Sequence, residues 1–248
     1  GSGDEPPAKQ QELSNPERGF VRAVDEFARL APEDKKVPQL RFEQGQTFYY
    51  RGRYKQAAQQ FLALVQNHPQ DEYAEPAADL ALDCFSRTRD WKNLENRARR
   101  LMQLKTFDGK DLGDKLPGFI AAAIFQSGTS LAKADKHEAA AAEYQRLVSE
   151  FPGSDLAPKS LFLAAVNIEE AGRKSEAVET YQKIIKRYPK RAADATYVIA
   201  GIYERKYDYK HAAKHYVDFA SRYPEDERAP EALLQAAMLN KARRAHMA

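Results

Sequence analysis

A single cysteine, Cys84, stands in 248 residues, so no disulfide can form within the chain. No apolar run approaches the roughly 18 residues that a membrane-spanning helix needs. The longest candidate, 118–125, is too short. An excess of one charge is also missing: 39 Lys and Arg face 36 Asp and Glu, a net +3. That balance argues against a surface built for nucleic acid or for a membrane. There is no Gly-rich phosphate loop and no serine nucleophile elbow. Apolar residues never alternate with period two, so strand signals are absent. These absences leave no cofactor motif and no catalytic machinery, and a non-enzymatic role is expected.

Four smaller features invite a chemical reading, and each has a plainer one. His211 and His215 are four apart, a spacing that can hold a metal. The intervening Glu of a zinc protease helix is missing, and Lys210 and Lys214 repel a cation, so two solvated histidines are expected. Asp108, Asp111 and Asp114 do not match a calcium loop, and Lys110 and Lys115 offset their charge. Cys84 lies inside a helical pattern with no base to activate it, and reads as a small buried residue. Arg97, Arg99 and Arg100, and Lys241, Arg243 and Arg244, read as solvated helix faces.

What is abundant is repetition. HEAAAAEYQRLVSEFP, SEAVETYQKIIKRYP and KHAAKHYVDFASRYP are near-copies, each ending on an aromatic and a proline. Pro152, Pro189 and Pro224 are 37 and 35 residues apart. A period of that size filled with helical spacing marks a helix-turn-helix array. Apolar content of 43% and charged content of 30% suit a folded chain.

Residues 1–14 are polar and read as a disordered linker, with Gly1-Ser2-Gly3 as a cloning scar. Asn15-Pro16-Glu17 starts a capping helix within 15–36. Repeats 1 and 2 span 37–105, the second degenerate, with Trp91 in the place of Tyr54 but no turn glycine and no closing proline. Gly45 and Ala57 mark a close helix approach, and Phe61 is expected to fill the space between successive pairs. Residues 106–117 read as an interrupting loop. Repeats 3 to 5 span 118–224. Residues 225–248 hold a last helix, either a solvating end or the first half of a sixth pair.

These residues resemble the tetratricopeptide repeat family. Repeat one carries its pattern in Gly45, Phe48, Gly52, Tyr54, Ala57, Phe61 and Pro69. Repeats three to five keep Ala140, Tyr144 and Pro152; Ala177, Tyr181 and Pro189; Ala212, Tyr216 and Pro224. The resemblance implies an all-α, right-handed superhelical solenoid of about five helix pairs that serves as a protein-interaction scaffold. It places the fifth residue of each first helix in a concave groove: Phe42, Asp79, Phe125, Phe162 and Tyr197. Gln46, Tyr49, Asp83, Arg87, Glu169, Glu170, Glu204 and Arg205 lie nearby. Aromatic anchors flanked by charge suit an extended peptide or a helix of a protein partner. The plainer reading is that each aromatic packs against its own neighbours. The Lys, Asn and Arg of the family's carboxylate clamp are not matched.

The phrases at 151–158 and 223–230, FPGSDLAP and YPEDERAP, resemble the inter-repeat phrase of bacterial envelope repeat proteins. That resemblance implies a periplasmic or outer-membrane-associated assembly or motility scaffold, with a cytoplasmic setting as the alternative. A signal peptide or lipid anchor ahead of this segment is compatible with it. Two rival readings stay open: a nucleic-acid-associated repeat protein, and a recruiting module of a larger enzyme.

Overall fold

The computed structural model describes residues 10–245, and among them the chain is all-α. Helix α1 (Asn15–Leu30) comes first. Five pairs follow: α2 (Val37–Tyr50) with α3 (Tyr54–Asn67), α4 (Ala74–Arg87) with α5 (Trp91–Met102), α6 (Asp111–Lys133) with α7 (His137–Glu150), α8 (Ala157–Glu170) with α9 (Lys174–Arg187), and α10 (Ala192–Arg205) with α11 (Tyr209–Arg222). Helix α12 (Ala229–Ala245) ends the described chain. The chain forms two compact units, Gly1–Ala123 and Ile124–Ala248, and the division falls inside α6. From α1 to α5 in the first unit, and from α7 to α12 in the second, each helix packs against the next in sequence.

Every pair turns in the same way. The second residue after the first helix enters the left-handed region: Gly52, Arg89, Asp135, Gly172 and Tyr207, with φ from 54° to 80°. The next amide then donates back to a carbonyl five residues earlier, Arg53 to Phe48, Asp90 to Phe85, Lys136 to Leu131, Arg173 to Ile168 and Asp208 to Tyr203, at 2.9–3.0 Å. This closes the free carbonyls at a helix end. Only two of the five turns use the glycine that such a φ favours. The second pair, lacking it, turns through Arg89 all the same.

The loops between pairs also recur. Two residues after Pro32, Pro69, Pro152 and Pro224, a short polar side chain accepts the amide two positions on. Asp34 accepts from Lys36 at 2.8 Å, Asp71 from Tyr73 at 3.0 Å, Ser154 from Leu156 at 3.2 Å, and Asp226 from Arg228 at 3.0 Å. Proline stops the incoming helix and the side-chain turn starts the next. The first of these loops follows α1, so α1 ends as the second helix of a pair ends.

The core of each pair is small-on-large packing. A Cβ on Gly45 would lie 2.5 Å from the Phe61 ring, and one on Gly128 would lie 3.0 Å from Tyr144. Phe61 and Tyr144 are fully buried, and each such burial contributes about 1.5–3 kcal/mol. Phe61 therefore fills space inside its own pair, against Gly45.

Two boundaries differ from the sequence reading. Residues 1–9 lie outside the described residues, but 11–14 are held, not disordered. The Gln11 amide donates to the Arg51 carbonyl at 2.8 Å, Arg53 Nε donates to the Gln11 carbonyl at 2.9 Å, and Leu13 is buried. Ser14, not Asn15, caps α1. Its amide donates to Glu17 Oε2 at 2.7 Å and its hydroxyl accepts the Glu17 amide, a reciprocal capping box. In the expected loop at 106–117, residues from Asp111 on are helical, with Pro117 inside α6. Glu75 Oε1 of α4 accepts the Leu112 amide at 3.0 Å, and Phe107, Leu112 and Leu116 are buried. A borrowed carboxylate at the helix start and three buried apolar side chains offset the Gly and Asp content.

Candidate partner-binding face

The aromatics on the first helices are built into their pairs by one repeated contact. Phe42 meets Phe61 at 5.7 Å between ring centroids, Phe125 meets Tyr144 at 5.6 Å, Phe162 meets Tyr181 at 5.3 Å and Tyr197 meets Tyr216 at 5.6 Å. Each partner stands nineteen residues further along. These tilted and edge-to-face arrangements are the favourable ones for aromatic pairs. At the second pair the same two positions hold Asp79 and Ala98, so the contact is missing there.

In the first unit, Phe42 is half-buried and also meets Tyr73 at 5.2 Å. Tyr49 joins a charged network. Its hydroxyl donates to Asp83 Oδ2 at 2.5 Å, and Arg87 Nε donates to the same oxygen at 2.5 Å. The Arg87 guanidinium lies over the rings of Tyr49 and Tyr54, at 5.3 and 5.7 Å. Burial, and then the hydrogen bond to Asp83, hold the Tyr49 hydroxyl well above the usual phenol range, so it stays a donor. Asp79 is exposed. Desolvation raises its pKa, with Lys115 opposing and Asp83, Asp111 and Glu75 adding to the rise. Cys84 is buried, and burial with the adjacent Asp83 pushes its thiol up to about 12, which leaves no thiolate for chemistry.

In the second unit, Phe125 is only 9% exposed and Lys159 Nζ lies 5.3 Å above it, so it offers little surface to a ligand. Phe162 and Tyr197 are half-buried. Tyr197 meets Tyr216 and Phe219 edge-on, and the Arg228 guanidinium lies 5.1 Å from its ring and 5.2 Å from that of Phe219. Glu169 and Arg205 join α8 to α10, with Arg205 Nη2 at 2.5 Å and Nε at 3.1 Å from one carboxylate oxygen. Both nitrogens share a single acceptor. Glu204, on α10, accepts the Tyr216 hydroxyl at 2.8 Å.

An open cavity of about 860 Å³ lies between α10, α11 and α12, edged by Glu204, Arg205, Tyr207, Tyr216, Gln235 and Met238. Tyr207 is 81% exposed, and its φ of 59° is the left-handed region a bulky residue rarely enters. Sequence reasoning missed it. Its signal was the absence of glycine at a turn where Gly52 and Gly172 stand in other repeats. It also missed Lys159 and Arg228, which cover two of the aromatics from the next helix or loop.

The weighed motifs take these places. His211 and His215 lie flat on Tyr203, with centroids at 5.2 and 5.3 Å, and the His211 and Asp208 side chains meet at 2.7 Å. Asp111 pairs with Lys115. Among the described residues no group of three or more His, Cys, Asp or Glu is placed to hold a metal ion. No helix among them is long and apolar enough to cross a membrane.

Two descriptions of the tetratricopeptide repeat match the sequence, one over 122–154 and 159–191, the other over 19–82. No curated protein matches it. Among solved structures, the tetratricopeptide domain of P58(IPK) aligns with a TM-score of 0.41 at 15% identity, over 92% of this chain and 62% of that one. MamA from Desulfovibrio magneticus RS-1 aligns with a TM-score of 0.40 at 12% identity, over 87% of this chain and 99% of that one. The TPR2AB domain of yeast Sti1, in complex with pHSP90, aligns with a TM-score of 0.39 at 13% identity, over 89% and 93%.

Proposed function

Because this chain belongs to the tetratricopeptide repeat family, we propose that it is a non-enzymatic scaffold that holds a partner's extended peptide or helix against its first helices. Such repeats are generally protein-interaction scaffolds. The observation that carries the reading here is the open cavity on the second unit. Exposed Tyr207 and Met238 stand at its edge, beside Glu204, Gln235 and Arg205. Tyr207 leaves a large ring 81% exposed at the mouth of that cavity, the kind of surface a partner can cover. A preformed surface of this kind leaves most of the ordering to the flexible partner. Phe162, Tyr197, Glu169 and Arg205 complete the proposed contact on this unit. Phe42, Tyr49 and Asp79 present the corresponding face on the first. Phe125 is covered and acts through packing.

The setting we propose is a bacterial envelope assembly or motility complex. Its support is the pair of phrases at 151–158 and 223–230, whose proline and short polar side chain build the inter-pair loops.

A photo-crosslinking residue at Tyr207, installed in the native host, tests the groove against one at exposed Glu179 on α9. The expected result is a discrete crosslinked partner from Tyr207 only, weakened by Met238→Ala with helicity unchanged. Equal capture from both positions, or capture indifferent to Met238→Ala, would sink the groove assignment.

A further inference from the structure

The second helices of the first unit carry a charge that the near-balance of the whole chain conceals. Helix α3 has no carboxylate, and α5 has one, Glu95, which pairs with Arg99 at 2.9 Å. Against it the two helices hold five cations: Lys55, Lys92, Arg97, Arg99 and Arg100. The second helices of the other pairs, α7, α9 and α11, carry six carboxylates between them. Among the described residues Lys55, Arg97 and Arg100 form no ion pair.

These cations edge an open apolar groove. A cavity of about 640 Å³ lies between the first half of α3, at Ala58 and Leu62, the end of α4, at Phe85, and the first half of α5, at Asn93 and Arg97. A second, of about 350 Å³, lies between Leu62 and Val65 of α3 and Arg97, Arg100 and Leu101 of α5, with Leu104 beyond. Leu62 and Arg97 line both, so the two cavities are one groove. Residue numbers rise along it on both helices, so α3 and α5 run side by side in the same direction. With 14 and 12 residues they give it a length of about 20 Å. Leu62 and Phe85 are half-buried and Leu104 is 40% exposed, so apolar surface is open within it. Lys55 stands at one end, Arg97 in the middle and Arg100 toward the other end.

We propose that the groove between α3 and α5 is a second docking surface, separate from the first-helix face, and that it takes an acidic amphipathic helix of a protein partner. The occupant presents large apolar side chains at helical spacing along one face, with Asp or Glu on either side of them. Its length follows from the groove, about three to four turns. A helix laid in a groove is held by apolar anchors at i, i+3, i+4 and i+7, which Leu62, Phe85 and Leu104 can receive. Carboxylates flanking those anchors then face Lys55, Arg97 and Arg100, and this charge match selects the partner and orients it. A polynucleotide would meet the cations through its phosphates but has no aliphatic face for the leucines between them. A membrane surface is broad and flat, whereas this apolar surface lies recessed between two helices.

Fluorescence anisotropy on the full chain tests this. The probe is a labelled synthetic peptide of about 14–18 residues, with Leu along one helical face and Glu on both sides of it. Saturable binding is expected. Arg97→Glu with Arg100→Glu should weaken it at least about tenfold, and so should spreading the same Leu and Glu residues around the peptide helix. Lys183→Glu with Lys186→Glu makes the same charge change at exposed positions of α9 and should leave binding within about twofold. Equal loss from the α9 variant, or equal binding of the dispersed peptide, would mean diffuse charge alone and overturn the proposal. So would no binding to the wild-type chain at about 300 µM. Tighter binding of oligothymidylate or of phosphatidylglycerol vesicles would also overturn it and make the groove a nucleic-acid or lipid surface. Circular dichroism checks that each variant keeps its fold. Arg100→Glu alone, at an exposed position, carries the test if the double variant loses helicity.

Discussion

Three buried tyrosines occupy the same place in three pairs and differ in what their hydroxyls meet. The Tyr144 hydroxyl lies 3.0 Å from Thr129 Oγ1, and the Tyr216 hydroxyl donates to the Glu204 carboxylate at 2.8 Å. The Tyr181 hydroxyl is buried with no partner. Its Glu169 neighbour on α8 is taken by Arg205. Removing a hydroxyl therefore has three different consequences at one structural position. Tyr181→Phe relieves a buried polar group that mutational data put at about 1–3 kcal/mol, and we expect a gain of about 1 kcal/mol. Tyr144→Phe loses a neutral hydrogen bond, a cost of about 0.5–1.5 kcal/mol. Thr129 keeps its own donation to the Phe125 carbonyl, at 3.0 Å, which holds that cost near the lower end. Tyr216→Phe removes the donor from a carboxylate and costs about 1.5–3 kcal/mol. For a chain of this size each kcal/mol moves the melting temperature by about 2–4 °C. Thermal and urea denaturation followed by circular dichroism read the order directly. Tyr181→Phe melting below wild type, or all three variants falling together, would refute the reasoning.

Gly45→Ala should destabilise the first unit by about 1–2 kcal/mol despite the better helix propensity of Ala, because the new Cβ meets a fully buried ring. Gly19→Ala, with nothing within 4 Å, should instead stabilise α1 by about 0.5–1 kcal/mol; the two melting temperatures moving the same way would contradict this. Glu17 is held at about 2 by Arg51 and then by Ser14, and Asp226 at about 2 by the Arg228 side chain and then by its amide. Both folded values lie below the unfolded ones, so their stabilisation is complete above about pH 4.5 and is lost as pH falls toward 2. Hydrogen exchange should show α1 and the start of α12 loosening first in that window, and uniform loosening of all helices would count against it.

How legible each feature was in the sequence follows from how local its cause is. Proline just past a second helix stops it, and Asp or Ser two residues on can turn the chain unaided, so the pairs, their order and their loops were readable. The small residues Gly45 and Ala57 announced close helix approach because only small side chains permit it. Left-handed turns at Arg89 and Tyr207 were not readable, since nothing local favours that φ in those residues; the packed helices on either side impose it. The start of α6 was hidden for a similar reason. Its cap is Glu75, far away in sequence, and its apolar support comes together only when Phe107, Leu112 and Leu116 meet.

The candidate site divides the same way. Sequence alone determined which positions carry Phe42, Phe125, Phe162 and Tyr197, because the repeat sets their register. Only the tertiary structure decided how much of each ring remains open, since Lys159 and Arg228 reach over Phe125 and Tyr197 from elements that local spacing does not connect to them. The exposure of Leu233, Leu234 and Met238 on α12 was likewise beyond the sequence. A helical stripe looks the same whether or not a neighbour covers it, and only packing shows which stripes remain bare.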